Sequence, residues 1–159
     1  MTIPDQRRGD EHSQRIIVAS DLAPIGHVRC TNRDVRDTPS QPTRDGVHEA
    51  EIVLDDRYVD GLHGLSVGAF VWVITLLDRQ PVGLPPMRIV READRSTGRV
   101  SGVFASRYPH RPNPIGLSLV RLRSIDDNIV GVSGVDLLDG TPVLDIKSWF
   151  DDCDVPWTE

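Results

Sequence analysis

The 159-residue chain carries 24 acidic and 18 basic residues, which gives a formal net charge of −6. This length is typical of a single domain, and no apolar run approaches the roughly 18 residues that a membrane span needs. Nucleic-acid-binding proteins are usually basic overall, so the acidic balance counts against nucleic-acid binding without excluding it, and such binding would need a local cluster of arginines.

Residues 1–15 are polar and charged and lack the apolar segment of a signal peptide, so we expect a disordered leader. Residues 16–159 are expected to form one domain of a cytoplasmic protein. The two cysteines, Cys30 and Cys153, lie far apart in the sequence and match no metal-binding or redox motif. We therefore expect both thiols to be reduced and unpaired.

Beyond the leader, short β-branched apolar segments alternate with turn residues, a pattern typical of an antiparallel β protein. These segments are 16–19, 25–28, 47–54, 67–77, 99–105, 115–125, 129–135 and 142–147. Segment 67–77 is apolar on both faces, so a strand through the core and a short buried helix both fit it. Short helices are expected only at 56–65 and 86–96. The sequence predicts an all-β fold, mainly an antiparallel β-barrel with minor short helices.

A proline-rich stretch at 107–116, reading RYPHRPNPIG, contains the most informative candidate residues. Its three prolines fix φ and remove three backbone donors, so it is expected to be a stiff loop. Arg111 and Asn113 in this loop either bind substrate or lock the loop by bonding backbone carbonyls. An arginine can hold a carboxylate or a phosphate through two parallel hydrogen bonds.

A second motif, DLLDGTPVLDIK, occupies residues 136–147. Asp139 precedes a glycine and is expected to form a turn, whereas Asp145 is expected to pair with Lys147 or Arg111. A general-base role is possible for Asp139, for Asp145, or for His110 or Tyr108, and the sequence does not decide among them.

Together with GVFAS at 102–106, these two motifs resemble the TrmO family of S-adenosylmethionine-dependent tRNA methyltransferases, whose members read close to GVFATRSPxRPNPIGLS and DLLDGTPVLDIKPY. The resemblance implies a small β-barrel, a homodimer, and S-adenosyl-L-methionine bound in a loop-lined pocket. The chain accordingly has no Gly-x-Gly-x-x-Gly motif after a strand, the signature of a dinucleotide-binding fold.

The resemblance also implies which residues form the site. Carried over position by position, the cofactor contacts are Gln41, Asp78, Arg107, Leu117, Ser133, Gly134, Val135 and Asp136. Gln41 is expected to bond polar groups of the cofactor, and backbone amides at 133–136 are expected to read the adenine edge. The candidate catalytic residues are Arg111, Asn113, Asp139 and Asp145. The histidines and cysteines show no zinc-ligand spacing, so no metal is expected.

The sequence departs from the family pattern at Ser40, where relatives carry arginine, and at Asp78, where they commonly carry histidine. Tyr108 and His110 also stand where serine and phenylalanine are common. The first two changes make the site more negative, which is unfavourable for an anionic tRNA loop. Arginine patches that would offset this are possible at Arg29, Arg33, Arg36 and Arg44, and at Arg88, Arg91, Arg95 and Arg99.

Three functions therefore remain open. The first is the activity of the family, methylation of N6 of threonylcarbamoyl-adenosine next to the tRNA anticodon. The second is methylation of a small molecule of specialised metabolism on the same barrel. The third is a barrel that senses or binds the cofactor without catalysis.

Overall fold

The computed structural model describes residues 22–34, 48–81, 83–90 and 95–156. Two short 3-10 helices in these ranges span Asp56–Leu62 and Val103–Ala105. The strands are β1 (Gly26–Arg29), β2 (Glu49–Leu54), β3 (Phe70–Leu76), β4 (Arg88–Val90), β5 (Val100–Gly102), β6 (Ile115–Asp126), β7 (Ile129–Ser133) and β8 (Pro142–Ser148). The predicted all-β class is confirmed.

Six of these strands form a closed barrel in the order β1-β2-β7-β6-β3-β8. Every neighbouring pair is antiparallel, and β8 closes the ring by pairing with β1, where Gly26 lies opposite Val143. Strands β4 and β5 form a separate two-stranded sheet. We call this sheet, with its connection, the β4–β5 hairpin.

The core lies inside the barrel because alternate residues of each strand point inward. In β2, Ala50, Ile52 and Leu54 are buried, whereas their neighbours on the outer face are exposed or half-buried. Strand β3 also alternates, with Val71 and Val73 inside, which decides between the strand and the helix that segment 67–77 allowed. The other inward apolar residues include Val28, Val120, Leu122, Val130, Val132 and Val143.

The connections between strands divide unequally between the two ends of the barrel. Segments 30–48, 77–114 and 134–141 all connect strands at one end, which we call the loop end. The opposite, turn end carries segment 55–69, with the first 3-10 helix, and the two-residue turn Asp127-Asn128, where Asp127 has a φ of 51°. The longest connections, and the proline-rich stretch within them, therefore converge on one end.

The helix expected at 86–96 is wrong for residues 88–90, which form β4 and pair with β5 through Ile89 opposite Ser101. The leader at 1–15 and the segment at 16–19 lie outside the described residues. Within the described ranges, no helix combines the length and the apolar character needed to cross a membrane.

Candidate functional site

The proline-rich loop is held in place by Ser106, the residue that precedes it. The Ser106 hydroxyl donates to the Val103 carbonyl at 2.7 Å and accepts from the Tyr108 amide at 3.2 Å. Its carbonyl oxygen accepts from Nη1 of Arg111 at 3.3 Å. Of the two roles considered for Arg111, the structure therefore supports locking of the loop.

Asn113 and His110 are the other polar side chains of this loop. Asn113 is exposed, and its carbonyl accepts from the Ile115 amide at 2.7 Å, which joins the loop to the start of β6. The Nε2 atom of His110 is buried and has no hydrogen-bond partner among the described residues. The Asn113 side chain is thus open to a ligand, whereas the Nε2 atom of His110 is shielded from solvent.

Asp136 lies in the β7–β8 connection at the loop end. Its Oδ1 accepts a 2.7 Å hydrogen bond from the hydroxyl of Ser118, a residue of β6 that points into the barrel. Partial burial raises the pKa of the Asp136 carboxyl above its ordinary value, while the Ser118 hydrogen bond and the positive charge of Arg107 act in the opposite direction. The charges of two predicted cofactor contacts, Asp136 and Arg107, therefore interact in this structure.

The residues just before Asp136 form hydrogen bonds within the protein, whereas their backbone amides were expected to read the adenine edge. The backbone amides of Gly134 and Val135 both donate to the carbonyl of His48, at 2.9 and 3.4 Å. The Ser133 hydroxyl is buried and accepts from Nε of Arg123 at 2.7 Å. These groups are already bonded within the protein, so the Asp136 carboxylate is the side chain of this segment that could offer a charge to a ligand.

A second buried polar group lies on the inner wall near the loop end. Thr75 of β3 is 0% exposed, and its Oγ1 has no hydrogen-bond partner among the described residues. It packs against Gly116 of β6, where a Cβ atom would lie only 2.3 Å from that oxygen. Glycine is needed at 116 because any side chain there would displace the Thr75 hydroxyl.

Asp139 has a structural role that its position before a glycine had suggested. Its Oδ1 accepts from the Cys30 amide at 3.0 Å, and its own amide donates to the Asn32 carbonyl at 2.8 Å. The guanidinium of Arg79 donates to the Asp139 carbonyl. Asp139 thus joins the three connections of the loop end. The predicted contact Asp78, next to Arg79, is exposed at the same end.

Asp145 is not brought to the loop end. Its carboxylate pairs with Nζ of Lys147 at 2.6 Å, which confirms one of the two pairings expected for it. It lines a cavity of about 420 Å³ at the turn end, together with Tyr58, Leu62 and Ile146. The proposed general-base role of Asp145 is not supported by this position.

Leu117 points away from the barrel interior and is 55% exposed. It belongs to a patch that we call the apolar face, formed by outward residues of the paired strands β3 and β6. These residues are Phe70, Trp72, Ile74, Ile115, Leu117 and Leu119. Leu117 therefore lies on the opposite side of the β6 wall from its neighbour Ser118, and it is not a core residue.

Gln41 and Ser40 lie outside the described residues. Both cysteines are free, and burial raises the pKa of the Cys30 thiol, which favours its protonated form. No group of three His, Cys, Asp or Glu side chains in the described part of the chain is arranged to hold a metal ion. That the protein works without a metal stays a prediction.

Sequence reasoning missed Ser118, Ser106 and Thr75. Ser118 carried a readable signal, since it is a serine at an inward position of an otherwise apolar strand. The role of Thr75 depends on which β6 residue lies opposite it, and that register is not visible in the sequence.

Comparison with known proteins supports the family resemblance that the motifs at 102–116 and 136–147 indicated. Residues 27–155 match the model of the tRNA-methyltransferase O N-terminal domain, a range that includes all barrel strands except the first residue of β1. The chain belongs to the TrmO family. A structure of TrmO from Pseudomonas aeruginosa superposes with a TM-score of 0.68 at 35% identity, over 85% of this chain and 58% of that one.

Two further relatives of this TrmO-family chain differ in length. A probable S-adenosyl-L-methionine-binding protein of Methanothermobacter thermautotrophicus is 36% identical over 84% of this chain and 92% of its own. A tRNA (adenine(37)-N6)-methyltransferase of Mus musculus is 34% identical over 84% of this chain. The chain spans 31% of the mouse protein, so the match concerns the barrel domain.

Proposed function

We propose that this protein is an S-adenosylmethionine-dependent methyltransferase whose acceptor is N6 of threonylcarbamoyl-adenosine next to the tRNA anticodon. Membership of the TrmO family and the names of its relatives support the methyltransferase activity. The observation that carries the proposal is that the charges of Asp136 and Arg107 interact at the loop end, beside the rigid proline-rich loop.

The residues of the loop end fit the cofactor chemically. The methionine end of S-adenosylmethionine carries an ammonium and a carboxylate, which are complementary to the carboxylate of Asp136 and the guanidinium of Arg107. When bound, the cofactor supplies an electrophilic methyl group on a sulfonium. Asp136 then provides negative charge at a partly buried position, where charge interactions are stronger than in bulk water.

The main contribution of the protein to the rate is expected to be positioning. Holding an acceptor nitrogen in line with a methyl group can account for about 7–11 kcal/mol of a barrier. Arg111 holds the loop to the Ser106 carbonyl, and the loop presents the exposed Asn113 side chain. We assign Asn113 the role of orienting the acceptor by hydrogen bonding, with Arg111 keeping the loop in place.

Arginines on the β4–β5 hairpin support a tRNA acceptor. Arg88, Arg95 and Arg99 are exposed on this hairpin, whose strand β5 leads directly into the segment before the proline-rich loop. A local cluster of this kind can contact phosphates although the whole chain carries a net charge of −6. Methylation is then expected to weaken steeply with salt.

The alternative acceptor is a small molecule. Its support is the exposed carboxylate of Asp78 at the loop end, which repels an anionic tRNA loop and would favour a smaller acceptor. In that case arginines of the hairpin would not affect methylation.

We also propose that the protein is a homodimer that works in the cytoplasm. The apolar face supports the dimer, because Phe70, Ile115 and Leu117 are 43%, 45% and 55% exposed on adjacent strands. Contiguous apolar surface of this kind commonly marks a protein interface. A two-fold dimer would bury the same face of both copies.

The test is transfer of labelled methyl from S-adenosylmethionine to total tRNA from a strain that lacks the modification. The control is the same tRNA population from cells that also lack the threonylcarbamoyl group. Label in the anticodon-loop adenosine of the first sample only is the expected result. Cofactor binding without label in either sample would contradict the tRNA acceptor, and absence of cofactor binding would contradict the methyltransferase itself.

A further inference from the structure

Ser118 is an unusual residue for its position. It lies on the inner face of β6, is 2% exposed, and stands opposite Val73 in the same row of inward residues as Val120 and Leu122. A hydroxyl in an apolar wall is unfavourable unless it is hydrogen-bonded. The bond that satisfies it is the one to Asp136, at 2.7 Å.

The backbone around Asp136 is fixed separately. Gly134 adopts a φ of 87°, and the amides of Gly134 and Val135 bond the His48 carbonyl. These bonds set the position of the Asp136 backbone, and the Asp136 carboxylate also accepts a hydrogen bond from its own backbone amide. The Ser118 hydroxyl donates to Oδ1 from the inner face of β6 and thereby fixes the orientation of the carboxylate.

We propose that Ser118 is a positioning residue, whose buried hydroxyl holds the Asp136 carboxylate in the orientation that binds the cofactor. The inference rests on the proposed function, since it assigns Asp136 to the cofactor site. Ser118 itself does not touch the cofactor and acts through Asp136. Its loss is therefore expected to weaken cofactor binding only while Asp136 is present.

The experiment measures the dissociation constant of S-adenosylmethionine by calorimetry for the wild type and for Ser118→Ala, Asp136→Asn and the double variant. Ser118→Ala is expected to weaken binding about three- to tenfold. In the Asp136→Asn background the same change is expected to have no further effect. Ser124→Ala, an exposed serine of the same strand, is the control and is expected to bind as the wild type.

A second pair of variants distinguishes the effect of the hydroxyl on cofactor binding from the effect of side-chain volume. Ser118→Thr keeps the hydroxyl and Ser118→Val has nearly the same shape without it, so threonine is expected to bind the cofactor more tightly than valine. In the protein without cofactor, carbon-13 NMR titration of Asp136 is expected to give a higher pKa for Ser118→Ala than for the wild type, because a bond to the ionised form is lost.

Equal affinity of Ser118→Ala and the wild type, or additive losses in the double variant, would overturn the positioning role. Equal affinities of the threonine and valine variants would overturn it as well. These failures leave the proposed function intact, because they require a wild type that binds the cofactor. A wild type that binds no cofactor would overturn both the proposed function and the inference.

Discussion

The carboxylate of Asp139 accepts a 3.0 Å hydrogen bond from the backbone amide of Cys30, a residue 109 positions earlier in the chain. With the Asp139 amide bonded to Asn32 and its carbonyl to Arg79, one residue joins three connections that surround the candidate site. This arrangement gives Asp139 a structural role at the loop end, in contrast to the general-base role that the sequence allowed.

Asp139→Asn should therefore retain methylation, because the amide oxygen of asparagine still accepts from Cys30. Asp139→Ala should lower the free energy of unfolding by roughly 1–3 kcal/mol, since the Cys30 amide loses its partner. Turnover and denaturant unfolding measured on both variants check this. A loss of turnover in Asp139→Asn without a loss of stability would instead support a general base.

Asp136 should make cofactor binding depend on pH. Burial raises its pKa above the ordinary 3.8, so affinity should begin to fall at a higher pH than for an exposed aspartate as the carboxylate is protonated. Asp136→Asn should bind more weakly at neutral pH and lose this dependence. Calorimetric titrations across the acidic range test both points, and an unchanged pH profile in the variant would place the titrating group elsewhere.

The same shift predicts an effect on stability. Because the pKa of Asp136 is raised on folding, its ionised form disfavours the folded state above that pKa, and this penalty disappears as the pH falls through it. Asp136→Asn should therefore not reduce the free energy of unfolding at neutral pH, since asparagine can accept the Ser118 hydrogen bond. A marked loss of stability in denaturant unfolding would show that the charge is favourable in the folded protein.

Arg107 should contribute to cofactor affinity rather than to the fold. Arg107→Ala should weaken binding of S-adenosylmethionine by about tenfold, or roughly 1.4 kcal/mol, with unchanged thermal unfolding. Arg57→Ala is a suitable control, because Arg57 is an exposed arginine at the turn end that pairs with Asp55. Equal affinities of the two variants would show that the cofactor does not bind at Arg107.

The apolar face should govern self-association. Leu119→Lys places a charge in the middle of this face and should convert a dimer into a monomer, since a buried unpaired lysine is costly in an interface. Val53→Lys makes the same change on β2, across the barrel, and should leave the dimer intact. Sedimentation equilibrium measures the oligomeric state of both variants, and a dimeric Leu119→Lys variant would exclude the apolar face as the dimer interface.

The barrel was largely predictable because inward and outward residues alternate in most strands. Strand β4 was not predictable, because its partner for pairing, Ser101 opposite Ile89, lies beyond a connection and the local sequence allowed a helix as well. For the site, the two motifs indicated Asp136 and Arg107, whose charges interact because their connections leave the same end of the barrel. That these two residues bind the cofactor stays a prediction. Asp145 belongs to the same motif, but β8 carries it along the wall to a different environment.

The pairing of β1 with β8 has a consequence for how this protein is made. The first and last strands of the barrel are neighbours, so the ring cannot close until β8 has been synthesised. Before then, β1 and β3 each have an exposed strand edge whose backbone hydrogen-bonding groups are later paired by β8. Contacts between segments so distant in sequence make folding slow, and nascent or truncated chains ending before Pro142 should depend on chaperones to avoid aggregation.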